Sequence, residues 1–140
     1  LILGSFPSVK SRENGFFYGH PHNRFWRVLA AVYAQPLPCS ITEKKDFLLR
    51  NRIALWDVIS SCSITGSSDS SIRDVVPTDL TEILSHAKIQ HIYTNGRKAD
   101  ALYRRYQYGQ TDFPAVRLPS TSPASWSLER LTDAWSCILE

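Results

Sequence analysis

Along the chain, short apolar runs alternate with segments in which apolar residues return every three or four positions. Leu1-Ile2-Leu3 is such a run and ends at Gly4, the form of a strand entering a loop. Phe25, Val28, Leu29 and Val32 repeat at helical spacing, so a helix is expected from around residues 22–24 until Pro36 and Pro38 stop it. Ser40-Ile41-Thr42-Glu43 has the S-x-x-E form of a capping box, with Phe47 and Leu48 following on one face. Residues 53–58 form an apolar run of strand length interrupted only by Asp57, and the Ser-rich stretch 60–71 reads as a long loop. Pro77-Thr78-Asp79 marks a helix start, with Leu80, Ile83 and Leu84 as its buried stripe. Residues 89–94 are β-branched and aromatic and end at Asn95-Gly96, a turn signal; Ala99, Leu102, Tyr103 and Tyr106 then repeat as one helix face. Ala115 to Leu118 is the last strand candidate, and Ser127 caps a terminal helix with Leu128, Leu131, Trp135 and Ile138 toward the core.

Strands alternating with helices imply parallel βαβ units with right-handed crossovers. The expected fold is a three-layer α/β/α domain spanning 1–140, with a central parallel sheet of about four strands. In such a sheet ligands bind beyond the carboxyl ends of the strands, which turns attention to the loops after Leu3 and Leu118.

Composition changes this picture little. With 43% hydrophobic and 21% charged residues, the chain is ordinary for a globular protein. No apolar stretch reaches membrane-span length and no signal peptide opens the chain, so a cytoplasmic, nucleoid-associated protein is expected. The lack of Met and the start inside an apolar run predict that natural residues precede Leu1. Cys39, Cys62 and Cys137 are widely spaced without a C-x-x-C pair, so no metal centre or other cofactor is expected. The net charge of +3 is mild, but Lys10, Arg12, Arg24, Arg27, Arg97, Lys98 and Arg117 flank the loops that follow strands.

Two loop segments carry the chemistry. One is Gly4-Ser5-Phe6-Pro7-Ser8 with Tyr18-Gly19-His20-Pro21-His22-Asn23-Arg24-Phe25-Trp26; the other is Leu118-Pro119-Ser120-Thr121-Ser122-Pro123-Ala124-Ser125. Together they resemble the uracil-DNA glycosylase superfamily, and within it most closely the hypoxanthine-DNA (deoxyinosine) glycosylase family. The resemblance runs from Gly4 to the last helix. It implies a monofunctional DNA glycosylase that flips a deaminated base, hypoxanthine before uracil or xanthine, and hydrolyses its N-glycosidic bond to start base excision repair. The alternatives are a mismatch-specific uracil-DNA glycosylase and a non-catalytic nucleic-acid or nucleotide-binding module of the same fold.

Base removal needs a pocket, stabilisation of the leaving base and a placed water, while extrusion needs a wedge to fill the gap. The small residues and proline of Gly4, Ser5, Phe6 and Pro7 suit close approach to a ligand. Where the mismatch-specific enzymes carry a water-holding Asn in this loop, this chain has Phe6; the resemblance to the hypoxanthine family instead implies Asn23 as the catalytic residue. Asn is equally a favoured helix N-cap, and Asn23 sits where a helix begins. Tyr18, or Phe17, offers a face for a flipped base, with Phe16, Phe25 and Trp26 as core. Asp57 either reads the Watson-Crick edge of the base or serves as a structural acid. His20 is the nearest substitute for the histidine that Leu118 replaces at the head of the second loop, and His-Pro is equally a rigid turn. The roles of Asp69-Ser70-Ser71 stay open. Ser120, Thr121 and Ser122, with Lys10 and Arg24, are expected to hold phosphates, and Pro123, Ala124 and Ser125 to enter the duplex, unless the loop only caps the last helix. The expected partner is double-stranded DNA with a deaminated base, the expected state a monomer, and the expected successor an abasic-site endonuclease. Neither motif holds a lysine for a Schiff base, so strand cleavage by the enzyme itself is not expected.

Overall fold

The computed structural model describes residues 1–5, 16–63, 73–122 and 126–139. In chain order the elements are β1 (Ile2–Gly4), α1 (Phe25–Tyr33), α2 (Ile41–Arg50), β2 (Leu55–Asp57), β3 (Ile59–Ser63), β4 (Arg73–Pro77), α3 (Leu80–His86), β5 (Ile92–Asn95), α4 (Arg97–Tyr106), α5 (Tyr108–Thr111), β6 (Ala115–Leu118) and α6 (Leu128–Trp135), which runs into a 3₁₀ turn, Ser136–Leu139. The chain divides into two compact units, each built from discontinuous stretches: residues 1–7 with 55–117, and residues 8–54 with 118–140.

In the first unit, β2, β1, β5 and β6 lie side by side in that order as a four-stranded parallel sheet, as the alternating pattern predicts. β1 is buried along its whole length because it sits between two strands. Its register places Ile2 beside Leu55 and Gly4 beside Asp57 on one side, and Leu3 beside Thr94 on the other. Leu3, Val58, Ile59 and Ile92 pack with Leu80 of α3 and with Leu102 and Tyr103 of α4 into one apolar cluster. The 53–58 run is less buried than its composition suggests. β2 is an edge strand, so Trp56 is 46% exposed and Leu55 and Asp57 are half-buried.

The stretch 60–71 is not wholly a loop. Ile59–Ser63 pairs antiparallel with Arg73–Pro77 in a separate two-stranded sheet, with register irregularities between Ile59 and Ser63. Pro77 therefore ends a strand, and α3 starts only at Leu80.

In the second unit, α1 and α6 meet through Phe25 and Trp135, whose rings pack edge to face at 5.8 Å. Trp26 packs edge to face on Phe47 of α2. Half of the capping box forms: Ser40 Oγ accepts from the Glu43 N–H at 3.1 Å, while Glu43 Oε2 accepts from the N–H of Cys39, one residue before the cap, at 3.2 Å. Leu128 departs from the expected core stripe; it is exposed at the first turn of α6, while Leu131 and Trp135 are buried.

Candidate active site

The approach to α1 is built from a turn. The Asn23 N–H donates to the His20 carbonyl at 3.0 Å, closing a four-residue turn with Pro21 at its second position, where the fixed proline φ fits. His20 Nδ1 accepts from the His22 N–H at 3.1 Å, so the side chain reinforces the same turn. This is the structural role the His-Pro pair allowed.

From that turn Asn23 Oδ1 accepts from the Phe25 N–H at 2.9 Å, satisfying an orphan donor at the start of α1. The same oxygen accepts from Thr121 Oγ1 at 2.9 Å. An amide proton can only donate, so the Phe25 N–H fixes which end of the Asn23 amide is oxygen, and the Thr121 hydroxyl must then be the donor. Two further bonds join the same segments. The Arg24 N–H donates to the Thr121 carbonyl at 3.1 Å, and Arg24 Nη2 donates to the Ser122 carbonyl at 2.9 Å. The His-Pro-His-Asn-Arg block and the Pro-Ser-Thr-Ser loop are therefore one hydrogen-bonded body.

Each side of that body is anchored by a buried indole. Trp26 Nε1 donates to the Phe17 carbonyl at 3.1 Å and Trp135 Nε1 to the Pro119 carbonyl at 2.9 Å. A tryptophan offers one donor and a large apolar body, which suits fastening an irregular loop to a core. Tyr18 has a left-handed backbone, φ 54°, uncommon for an aromatic residue. Its ring stacks on fully buried Phe25 at 3.9 Å between centroids, with 18° between planes. Phe16 stacks on Trp26 and meets Phe17 edge to face.

The expected phosphate-holding loop looks different in detail. Thr121 is 1% exposed, with its hydroxyl turned onto Asn23. Ser120 and Ser122 are half-buried, and Ser120 Oγ accepts from the Ser122 N–H at 3.1 Å, tightening the loop. Trp126, just past this loop, is 42% exposed with the Arg130 guanidinium 4.3 Å from its ring centre, a pair that sequence reading passed over.

The first unit carries the other expected pocket residues. Gly4 and Asp57 are neighbours at the ends of β1 and β2, and pairing runs on past them: the Val58 N–H donates to the Gly4 carbonyl at 2.8 Å and the Ile59 N–H to the Ser5 carbonyl at 3.0 Å. Thr78 Oγ1 donates to the Asp57 carbonyl at 2.6 Å. Gln107, fully buried just after α4, donates through Nε2 to the carbonyls of Val58, at 3.0 Å, and Thr78, at 2.7 Å. These backbone restraints fix where the half-buried Asp57 ends its strand. The signal for them was a glutamine at the close of an apolar helical stripe.

Asn23, Arg24, Tyr18, Ser120, Thr121 and Ser122 thus belong to one unit and Gly4, Ser5 and Asp57 to the other. Phe6, Pro7, Lys10, Pro123, Ala124 and Ser125, with Asp69-Ser70-Ser71, lie outside the described residues. No described helix is long and apolar enough to cross a membrane.

A family model described as the uracil DNA glycosylase superfamily matches residues 1–137. The chain belongs to this superfamily. Two proteins named hypoxanthine DNA glycosylase are similar to this chain. One, from Methanosarcina acetivorans, is 42% identical over 101 residues, covering 71% of this chain and 64% of that protein. The other, from Methanosarcina barkeri, is 33% identical over the same lengths and shares. The matching stretch thus spans just under two thirds of these relatives. A solution NMR structure of a Methanosarcina acetivorans protein, described as a candidate uracil DNA glycosylase, has the same fold. It gives a TM-score of 0.79 at 30% identity, covering 99% of this chain and 89% of that one.

Proposed function

We propose that this chain is a monofunctional DNA glycosylase that removes hypoxanthine from DNA containing deoxyinosine. The observation that carries the reading is the bonding of Asn23 to Thr121, which joins the two motifs implied to hold the reacting nucleotide. The names of the Methanosarcina relatives supply the substrate class. In the reaction the purine leaves C1′ with the electron pair of the C1′–N9 bond, and a water oxygen bonds to C1′. The proton that water releases ends on the purine, giving hypoxanthine and an abasic deoxyribose. Asn23 acts on this exchange, Tyr18 stacks on the extruded purine, and Gly4, Ser5, Phe6, Pro7 and Asp57 line the pocket and read the base edge. Lys10, Arg24 and the loop from Ser120 to Ser125 hold the flanking strand, with Pro123, Ala124 and Ser125 filling the gap left by the base. The product is an abasic site, passed to an abasic-site endonuclease. The whole of 1–140 acts as one domain, as a monomer in the cytoplasm at the nucleoid, and without a cofactor.

A base-release assay on duplexes carrying one hypoxanthine or one uracil, with alkali to reveal abasic sites, tests this. Hypoxanthine release that Asn23→Ala lowers by at least about a hundredfold is expected, with DNA binding retained. Release of uracil alone would move the chain to the mismatch-specific enzymes. Binding without release of either base would leave a binding module.

A further inference from the structure

We propose that Asn23 works in this reaction as a hydrogen-bond donor through Nδ2, and that Thr121 is the positioning residue that confines it to that role. The inference rests on the glycosylase reading above and says which end of the amide meets the substrate. A side-chain amide can in principle serve either way: its oxygen can accept a proton from the attacking water, or its nitrogen can donate to an electron-rich atom. In this chain the choice is restricted by geometry. Asn23 Oδ1 takes one hydrogen bond from the Phe25 N–H and a second from Thr121 Oγ1, both at 2.9 Å, and a carbonyl oxygen has two lone pairs. Nδ2 donates to no described residue.

Neither bond to the oxygen is casual. The Phe25 N–H is an orphan donor in the first turn of α1 and Phe25 is fully buried, so releasing it leaves a buried donor unpaired. Thr121 is 1% exposed, so water does not readily replace the partner of its hydroxyl. The backbone bond from Arg24 to the Thr121 carbonyl keeps the two segments in step. What the amide presents is an NH₂ group with a fixed direction. As the C1′–N9 bond breaks, negative charge builds on the purine, at its ring nitrogens and O6, and a positioned N–H stabilises charge that appears only in the transition state. The same donor can instead hold the attacking water through its oxygen; in both cases the amide accepts no proton.

Replacing the nitrogen by oxygen separates the two roles. Asn23→Asp keeps shape and the capping oxygen but presents a carboxylate oxygen where the N–H stood. Single-turnover hypoxanthine release at pH 8 is expected to fall about a hundredfold or more, with KM changed far less, and to recover partly as pH is lowered and the carboxyl gains a proton it can donate. If Asn23 served as an acceptor toward water, Asn23→Asp would match or exceed the wild type at pH 8, and that result overturns the proposal. Thr121→Val, which removes the donor at nearly constant volume, is expected to lower the rate about tenfold, with Thr121→Ser restoring it to within about threefold. Equal loss in both variants would assign Thr121 a packing role only.

A third arm needs no turnover. In the free protein the side-chain ¹⁵N resonance of Asn23 is expected to shift in Thr121→Val and stay in place in Thr121→Ser; no shift in either overturns the positioning role. A wild type that releases no hypoxanthine yet shows these shifts would defeat the functional reading while leaving the Thr121 arrangement standing.

Discussion

Asn23 and Gln107 are both amides, and both act as rivets between segments far apart in sequence. Gln107 Nε2 holds two carbonyls, those of Val58 and Thr78, from a site with no solvent exposure, while its Oε1 accepts from no described group. Gln107→Leu keeps much of the volume and removes one of the two donors on each carbonyl, leaving the Thr78 N–H on Val58 at 2.9 Å and the Leu80 N–H on Thr78 at 3.1 Å. The net cost is expected to be about 1 to 3 kcal/mol, read as a lower urea midpoint at unchanged slope. A loss below about 0.5 kcal/mol would show that the backbone donors already on these carbonyls suffice. Tyr103 makes the same kind of link: its hydroxyl donates to the Phe113 carbonyl and bonds Thr111 Oγ1 at 2.8 Å. Burial raises its pKa above the ordinary tyrosine value, against an opposing contribution from the Thr111 bond. With the folded value above the unfolded one, the folded state holds the proton more tightly. This contribution to stability is therefore complete below about pH 10 and is lost as pH rises through the folded value. Tyr103→Phe is expected to flatten that alkaline decline while lowering stability at pH 7, as denaturation at a series of pH values would record. Residue types at such points were legible and their partners were not. That Asn23 sits at a helix start follows from Pro21 and the apolar stripe after it, but the second donor onto its oxygen comes from Thr121, 98 positions away.

Helix ends were the most legible elements because their signals are local. Ser40 and Ser127 both cap as expected, Ser127 Oγ accepting from the Arg130 N–H at 3.3 Å. Asn95-Gly96 is likewise the turn it announces: Gly96 has φ 97° and ψ 168°, a region essentially restricted to glycine. Gly96→Ala is accordingly expected to cost about 1 to 3 kcal/mol, seen as a lower melting temperature, because α4 has no side-chain cap to hold its start in another way. A neutral result would mean the loop relaxes to a permitted backbone. The pairing of β3 with β4 could not be read in the same manner. Its residues include Ser60, Ser61 and Ser63 opposite a segment ending in Pro77, with no alternation to announce a buried face. The ladder is specified by its partner strand, and Pro77 survives in it because it stands at the strand's end. Strand burial misled for a related reason: composition cannot say which apolar run lands on the edge of a sheet, and β2 did.

At the scale of the whole molecule, the alternation of the four parallel strands with helices was legible, whereas the β3–β4 pair, α5 and the division into two discontinuous units were not, because each unit draws on chain segments separated by the other. The sparse charge bears on how such a molecule would hold DNA. A net charge of +3 over 140 residues gives little long-range attraction, and some cations are engaged internally: Arg24 on the Ser122 carbonyl and Arg104 on Asp100 at 2.8 Å. With Lys10 and Arg24 as the proposed phosphate contacts, two counterions are released on binding. The logarithm of the association constant is then expected to fall with the logarithm of salt concentration at a slope of about −2. Arg24→Ala is expected to flatten that slope by about one unit and, by freeing the Ser122 carbonyl, to slow base release as well; Lys10→Ala is expected to flatten it without touching the rate at saturating DNA. Fluorescence anisotropy on one deoxyinosine duplex at several salt concentrations would measure this. A wild-type slope near −5 or steeper would place most of the phosphate contacts elsewhere, with exposed Arg27, Arg97 and Arg117 the first to replace.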